Sequence, residues 1–283
     1  MKPVKIVSDS TCDLCPELVA RYGIEIVPLY INLGGRVLRD GAEVTADDIY
    51  AFVRQSHTLP GTIASTVDDF RHVFEKWHGQ GYDIICHTIS SEMSCSCQNA
   101  RIAAEGLDGV FVVDSRNLST GVGQLVVRSA RMAADGMAVD VIVKALEDIV
   151  PRVRASFILD NLDYMRRGGR CSSVTALGAN LLHIKPEILV ENGVMRVGTK
   201  YRGPLPRVLE NYVDERLRRP DGICPDLIFI THTGCAPEIV EGVRARIESH
   251  LHFGEIVETR AGGTVTSHSG PNTLGILYVE KAG

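Results

Sequence analysis

The segment 90–97 reads S-S-E-M-S-C-S-C and places four hydroxyls and two thiols within eight residues. Such side chains can act as a nucleophile, as metal ligands, or as hydrogen-bond donors to a bound anion. A catalytic serine also needs a base and an orienting acid, and the chain has no G-x-S-x-G turn. The residue types alone leave all three interpretations open, so the surrounding elements have to decide between them.

The cysteines suggest two possible metal or redox sites. Cys95 and Cys97 could join Cys86 and His87 around a metal, but adjacent residues of a strand point to opposite faces, and the spacing fits no common zinc module. Cys12-x-x-Cys15 precedes a proline that suits the first position of a helix, where a thiol can have a lowered pKa. No second C-x-x-C follows, so these thiols are also compatible with a purely structural role at a helix start.

Two further segments share the hydroxyl-rich character of the first. In the predicted loop L-P-G-T-I-A-S-T-V, the hydroxyls of Thr62, Ser65 and Thr66 precede a predicted helix. In T-V-T-S-H-S-G-P, Thr266 and His268 lie in a predicted Ser/Gly/Pro loop before the last strand. A histidine in such a loop can brace the backbone, or its imidazole can donate to a carboxylate.

The predicted elements of the first half alternate between strands and helices. Strands are predicted at 4–9, 24–33, 82–89 and 109–115, and helices at 16–23, 45–55, 68–78 and 123–136. This alternation predicts a parallel sheet, whose ligands bind at the carboxyl ends of the strands. The segment 90–97 lies at such an end, before a helix starting near Ser96, whose free N–H groups can hold a carboxylate or phosphate. The serines could instead only cap that helix.

The second half has a different pattern. Two strand-like runs flank Glu191-Asn192-Gly193, and Asn-Gly is a strong hairpin signal. Helices are predicted at 161–170, 205–219 and 237–250, with strands at 157–160, 226–234, 254–262 and 273–283. The fold class is therefore predicted as α/β, with an N-terminal parallel-sheet α/β/α domain at 1–152 and a C-terminal α+β domain with a largely antiparallel sheet at 153–283.

Composition excludes several classes of protein. The net charge of −5 argues against a nucleic-acid binder. The chain lacks a run of 18 apolar residues, a signal-peptide pattern and a G-x-x-x-x-G-K-[ST] phosphate loop. We therefore predict a cytoplasmic protein that does not bind ATP through such a loop.

Five segments, in order along the chain, resemble the DegV family of bacterial fatty-acid-binding proteins. The opening V-S-D-S-T-C-D-L-C-P, together with the later D-G, is similar to the family's D-S-T-S-D-L-P and D-G. The other four are I-S-S-E-M-S-C-S-C-Q-N-A, F-I-L-D-N-L-D-Y-M-R-R-G-G-R-C-S, N-L-L-H-I-K-P-E-I-L-V-E-N-G and H-S-G-P-N-T-L-G. The resemblance spans nearly the whole chain. It departs from the family pattern at Ile63 and Ser65 and at Cys95 and Cys97, where the family has other residues.

The resemblance implies a binding protein without a catalytic site, metal or cofactor. One long-chain fatty acid would lie between the two domains, in a narrow apolar tunnel, with its carboxylate held by Thr62, Ser94 and His268. Ser65, Thr66, Ser96 and Thr266 would be secondary candidates near the head group. A separate ATP-binding subunit of fatty acid kinase would convert the bound carboxylate to an acyl phosphate.

The cationic residues of the second half allow two interpretations. Arg166, Arg167 and Arg170, with Arg202 and Lys200, could form a solvated face, or could dock the kinase subunit or a membrane surface transiently.

Two other functions remain open from the sequence. One is a hydrolase that uses Ser94 or Cys95 with His268. The other is a carrier of a different anionic lipid that works without a kinase.

Overall fold

The computed structural model describes residues 2–175 and 184–283. Within them the strands are β1 Val4–Asp9, β2 Glu25–Val27, β3 Tyr30–Leu33, β4 Arg36–Arg39, β5 Gly61–Ile63, β6 Asp83–Thr88, β7 Val110–Asp114, β8 Val153–Ile158, β9 Ile184–Glu191, β10 Val194–Arg202, β11 Leu227–His232, β12 Glu255–Arg260 and β13 Leu274–Val279. The helices are α1 Pro16–Arg21, α2 Ala46–Ser56, α3 Val67–His78, α4 Ser96–Ala104, α5 Thr120–Ala134, α6 Val139–Ile149, α7 Asp163–Gly168, α8 Ser172–Thr175, α9 Leu205–Arg216, α10 Pro237–His250 and α11 Gly263–Ser269.

The first half contains the predicted parallel sheet, with strand order β2-β1-β6-β7. Successive side chains of a strand face opposite sides. Ile84 accordingly packs with Phe70 and Phe74 of α3, while Ile85 packs with Leu125 of α5 on the other face. The apolar sides of helices therefore cover both faces of the sheet, and the strand ends are left to bind a ligand.

The second half contains a six-stranded sheet with order β10-β9-β8-β13-β11-β12. Its pairs are antiparallel except β11–β12, which α10 connects. Asn192 and Gly193 both have positive φ, as the predicted two-residue hairpin turn requires. The predicted fold class is confirmed. The domain boundary at 152/153 stays a prediction, although the parallel sheet lies within 4–114 and the six-stranded sheet within 153–279.

The single strand predicted over 24–33 is wrong. It forms two strands, β2 in the parallel sheet and β3 in a separate three-stranded sheet of order β4-β3-β5. Pro28 lies between them and has no N–H to donate to a ladder. Its carbonyl accepts from Ser65 Oγ instead, and the N–H of Leu29 donates to Ser10 Oγ. After this break, Leu29 lines the cavity described below.

The loop predicted around His268 is also wrong. His268 lies in the last turn of helix α11, which ends where Gly270 has a φ of 74°. Thr62, predicted in a loop, lies on the short strand β5. Small polar residues rarely indicate a helix. Contacts with the rest of the fold stabilise α11 here, including Gly263 N–H donating to Asp40 over 2.7 Å.

Three buried carboxyl groups, those of Asp9, Asp13 and Asp40, lie close together. Burial raises the pKa of Asp9 to about 6 and that of Asp13 to about 8, and it also raises the pKa of Asp40. Hydrogen bonds to each carboxyl act against these shifts, for example from Ser119 Oγ to Asp13 over 2.5 Å. The cluster therefore favours bound protons in the folded chain.

The raised pKa of Asp13 predicts a stability that decreases as pH rises. The pKa of aspartate in the unfolded chain is about 3.9. Between that pH and about pH 8 the folded chain therefore binds more protons at Asp13 than the unfolded chain does. Burial lowers the pKa values of His87 and His268, so these two residues change the pH dependence of stability only below about pH 6.5. Between about pH 6.5 and 8 we expect Asp13 to contribute a loss of up to about 1.4 kcal/mol per pH unit. Urea unfolding of wild type and Asp13→Asn across this range measures it, and equal slopes would contradict the prediction.

Two sequence-based predictions concern the fourth resemblance segment and the absence of a membrane span. The N-L-L-H part of the fourth resemblance segment, residues 180–183, lies outside them. None of the helices in 2–175 and 184–283 is both long and apolar enough to cross a bilayer.

Candidate functional site

Ser94 lies in the loop between β6 and α4, at the carboxyl end of the parallel sheet, as the sequence predicts. The loop is held by Ser90, whose Oγ donates to the carbonyl of Gly193 over 2.7 Å. Ser94 Oγ accepts from the N–H of Ser96 over 3.2 Å. Ser94 therefore contacts the start of α4, and its half-buried side chain also lines a cavity.

Thr62 and His268 meet although 206 positions separate them: Thr62 Oγ1 lies 2.9 Å from His268 Nε2. Strand β5 presents Thr62, and the last turn of α11 presents the imidazole. Both side chains line the same cavity as Ser94. The structure thus brings together the three residues that the sequence nominates.

The cavity has a volume of about 210 Å³ and a mostly apolar wall. The first half of the chain and the second half both contribute to it. Its apolar lining is Leu29, Ile63, Ala64, Ile89, Met93, Leu118, Phe157, Met165, Met195 and Val265. A smaller cavity of about 30 Å³ shares Leu118, Phe157 and Val265 with it. Polar groups and an apolar wall together suit an amphiphilic guest.

His268 is a neutral imidazole at physiological pH. Burial, assisted by the charge of Arg170, lowers the pKa of His268 to about 4. Its Nδ1 is buried and, among the described residues, has no hydrogen-bond partner. An orphaned buried N–H is rarer than an orphaned acceptor, so the proton belongs on Nε2. The Nε2–H can then donate to Thr62 or to a guest, and the Thr62 hydroxyl is free to donate into the cavity.

Helix α7 and the turn after it lie directly against His268. Gly168, the last residue of α7, is so close to the ring that a β-carbon there would collide with Nδ1. Arg170 lines the cavity and donates to the Gly168 carbonyl over 2.9 Å. The sequence suggested Arg170 only as a surface cation and gave Gly168 no role. The R-R-G-G-R turn was visible, but its position over His268 was not.

The four secondary candidates do not line the cavity. Ser65 Oγ donates to the Pro28 carbonyl over 2.9 Å, and Thr66 caps α3 through Asp69. Thr266 Oγ1 donates to the Ala261 carbonyl over 3.2 Å. Ser96 is buried with its Oγ 3.1 Å from Ser94 Oγ, so it contacts a cavity residue. These hydroxyls support backbone or neighbouring side chains.

The cysteines and surface cations are spread over the fold. Cys95 is exposed while Cys97 is buried, and His87 Nε2 pairs with Ser129 Oγ over 2.8 Å. In the described part of the chain no three His, Cys, Asp or Glu side chains form a group that could hold a metal. Arg166, Arg167 and Arg202 are exposed.

A larger groove of about 1040 Å³ lies elsewhere, between the ends of β8, β9 and α9. Charged residues such as Arg154, Arg218 and Glu280 line much of it, and it contains none of the three nominated residues. Size therefore favours this groove, whereas the convergence of polar groups on an apolar wall favours the smaller cavity. We take the smaller cavity as the candidate site.

Comparison with known proteins assigns the family. The family model described as "Uncharacterised protein, DegV family" matches residues 3–281. A DegV domain-containing protein of Caldanaerobacter subterraneus is 30% identical over 283 residues, 99% of this chain and 100% of the relative.

Two solved structures are also similar over nearly their whole length. One is described as fatty acid binding of a DegV family protein from Thermus thermophilus. It has a TM-score of 0.92 and 28% sequence identity, and the match covers 99% of this chain and 100% of that one. The other, from Thermotoga maritima, is described as revealing fatty acid binding function: TM-score 0.85, 26% identity, with the same coverage. On the extent of these matches, the chain belongs to the DegV family.

Proposed function

We propose that this chain binds one long-chain fatty acid and presents its carboxylate to a partner kinase, which phosphorylates it to an acyl phosphate. The carboxylate would lie at Thr62, Ser94 and His268, and the acyl chain would lie between the lobes 1–152 and 153–283. The observation that carries the proposal is the convergence of these three polar side chains on one apolar cavity. The fatty acids bound by structural relatives support the ligand class.

The apolar wall supplies most of the affinity in this proposal. Each buried methylene contributes about 0.8 kcal/mol, so a chain of roughly 16 carbons gains about 12 kcal/mol before costs. Immobilising the ligand takes back at least about 4 kcal/mol. At most about 8 kcal/mol remains, which corresponds to binding near micromolar. The head-group contacts therefore serve to satisfy and orient a buried carboxylate.

The polar end suits an acceptor of a phosphoryl group. Thr62, Ser94 and neutral His268 can each donate one hydrogen bond and leave the carboxylate its negative charge. Arg170 adds a cation to the same cavity, beyond the neutral donors that the resemblance implies. Arg166, Arg167 and Arg202 are exposed and available to dock the kinase subunit or a membrane surface.

The contacts of His268 argue against the hydrolase. Its Nε2 pairs with Thr62, Ser94 pairs with Ser96, and among the described residues no acid orients Nδ1. A Ser-His-acid arrangement needs the base on the nucleophile and the acid on the base. The kinase-independent carrier shares the ligand site with our proposal and differs only in the fate of the bound acid.

Native mass spectrometry of the purified chain, with organic extraction, tests the ligand class. We expect a stoichiometric added mass that matches a fatty acid. A co-purified ligand without a carboxyl group would overturn the assignment. Addition of ATP and the kinase subunit, with hydroxylamine to trap acyl phosphate, then separates presentation from simple carriage.

Substitution of Ser94 by alanine is expected to weaken fatty-acid binding about ten- to a hundredfold, because it removes a hydrogen bond to a charged group. Acyl phosphate formation should decrease at least as much. Fluorescence competition and the hydroxylamine assay measure the two effects. Ser91→Ala is the matched control, since Ser91 lies in the same loop but bonds Asp114 over 2.6 Å. Wild-type values for Ser94→Ala in both assays would refute its role.

A further inference from the structure

Helix α11 carries His268 but does not cap its own N-terminus. Gly262 precedes it and has no side chain to accept from the first N–H groups. Such groups need partners when they are buried. Here the partners are aspartate carboxyl groups that belong to the first half of the chain.

Asp40 holds the first turn of α11. One carboxylate oxygen accepts from Gly263 N–H over 2.7 Å. The other accepts from Thr264 N–H over 2.9 Å and from Thr264 Oγ1 over 2.6 Å. Asp40 is 4% exposed, and its own N–H donates to the Leu29 carbonyl over 2.9 Å. Both oxygens of one buried side chain thus accept from the first free N–H groups of the helix.

The surroundings leave this contact little freedom. A β-carbon at Gly263 would lie 2.7 Å from the Asp40 carboxylate and 3.0 Å from Ile49. Asp13 accepts from the N–H of Gly262 over 2.9 Å, so a second carboxyl group holds the preceding residue. The start of α11 is therefore held from the first half of the chain.

The same helix brings the imidazole to the polar end of the cavity about 1.4 turns later. His268 is five residues after Gly263, about 7.5 Å along the axis. There it meets Thr62, which also belongs to the first half of the chain. A small rotation of α11 at its start would move the imidazole away from Thr62.

We propose that Asp40, assisted by Asp13, is a positioning residue that sets α11 so that His268 Nε2 faces Thr62 and the bound carboxylate. This role rests on the proposed function of the cavity. It also gives a role to the segments D-S-T-C-D and D-G, which contain Asp13 and Asp40 and do not line the cavity.

The test combines a binding assay with the imidazole signals of His268. Asp40→Asn keeps the shape of the side chain but turns an N–H₂ group towards a backbone donor. We expect the His268 ¹⁵N and ¹H signals to move in the ligand-free chain, and palmitate to bind about tenfold more weakly. The carboxyl signal of [1-¹³C]palmitate should move as well. The imidazole signal that is missing from the spectrum of His268→Gln is assigned to His268.

Asp9→Asn is the matched control. Asp9 belongs to the same buried cluster but accepts from Thr11 and from Ile89 N–H, and it does not contact α11. We expect a loss of stability with unchanged His268 signals. Should Asp40→Asn not fold, Thr264→Val removes one donor to Asp40 and is expected to move the signals in a milder way.

Wild-type His268 signals in folded Asp40→Asn, or in Thr264→Val if only that variant folds, would overturn the proposal. So would equal displacement of the signals in Asp9→Asn. The imidazole measurement needs no ligand. Failure of wild type to bind palmitate would therefore count against the proposed function, while the His268 signals would still decide the role of Asp40.

Discussion

Shortening the acid from sixteen to ten carbons is expected to weaken its binding about three thousandfold, because six methylenes at about 0.8 kcal/mol each no longer leave water. Affinity should increase by about fourfold for each added methylene until the chain fills the cavity, and then level off or decrease. Calorimetry on the delipidated chain with a series of saturated acids measures this slope. The length at which affinity levels off gives the preferred acyl chain.

The sixteen-carbon alcohol is the control for the head group. It keeps the tail and loses the carboxylate, so it should bind more weakly than the acid but more tightly than the ten-carbon acid. An affinity that does not depend on chain length would contradict a tail buried along Leu118, Phe157 and Met195. Equal binding of the alcohol and the acid would contradict the role of the polar end.

Replacing Gly168 by alanine is expected to weaken fatty-acid binding at least about tenfold, because the new methyl group collides with His268 Nδ1. The ring, the end of α7 or both must move. Any such movement separates His268 from Thr62, to which it is now 2.9 Å distant. Titration with a fluorescent fatty acid measures the effect, and a crystal structure of the variant would show which element moved.

Gly169→Ala is the matched control one residue later. A β-carbon there meets nothing within 4 Å, although its φ of 69° makes alanine strained by about 1 kcal/mol. The control should therefore lose some stability and keep its binding. Binding by Gly168→Ala at the wild-type level would show that His268 need not stay against α7.

The sequence predicted well those elements that are stabilised by interactions between residues close in the chain. Thr45 with Asp48 forms a capping box at the start of α2, where the sequence predicts a helix over 45–55. Asn192-Gly193 forms the expected hairpin turn, since both residues tolerate positive φ. The alternating strands and helices predicted the parallel sheet, and with it the location of Ser94 at a strand end. The capping box and the turn depend on neighbours within a few residues, and each strand and helix of the sheet is indicated by its own short segment.

Predictions that depended on distant partners were less successful. Helix α11 was predicted as a loop because its own residues give little helical signal, and Asp40, over 220 positions away, holds its first turn. Ser65 and Thr66 share the hydroxyl pattern of Thr62, yet they face Pro28 and Asp69. The pattern of hydroxyls alone could not say which of them faces the cavity.

The sequence by itself determined the class of fold, the family resemblance and the nomination of Thr62, Ser94 and His268, because strand ends, turns and motifs are encoded in short segments. Only the tertiary structure decided that Thr62 touches His268, that Gly168 and Arg170 border the same cavity, and that Asp40 holds the helix bearing the imidazole. The physical reason is that these contacts join residues about 100 to more than 220 positions apart. Their distances depend on how the two halves pack on each other, which no local pattern specifies.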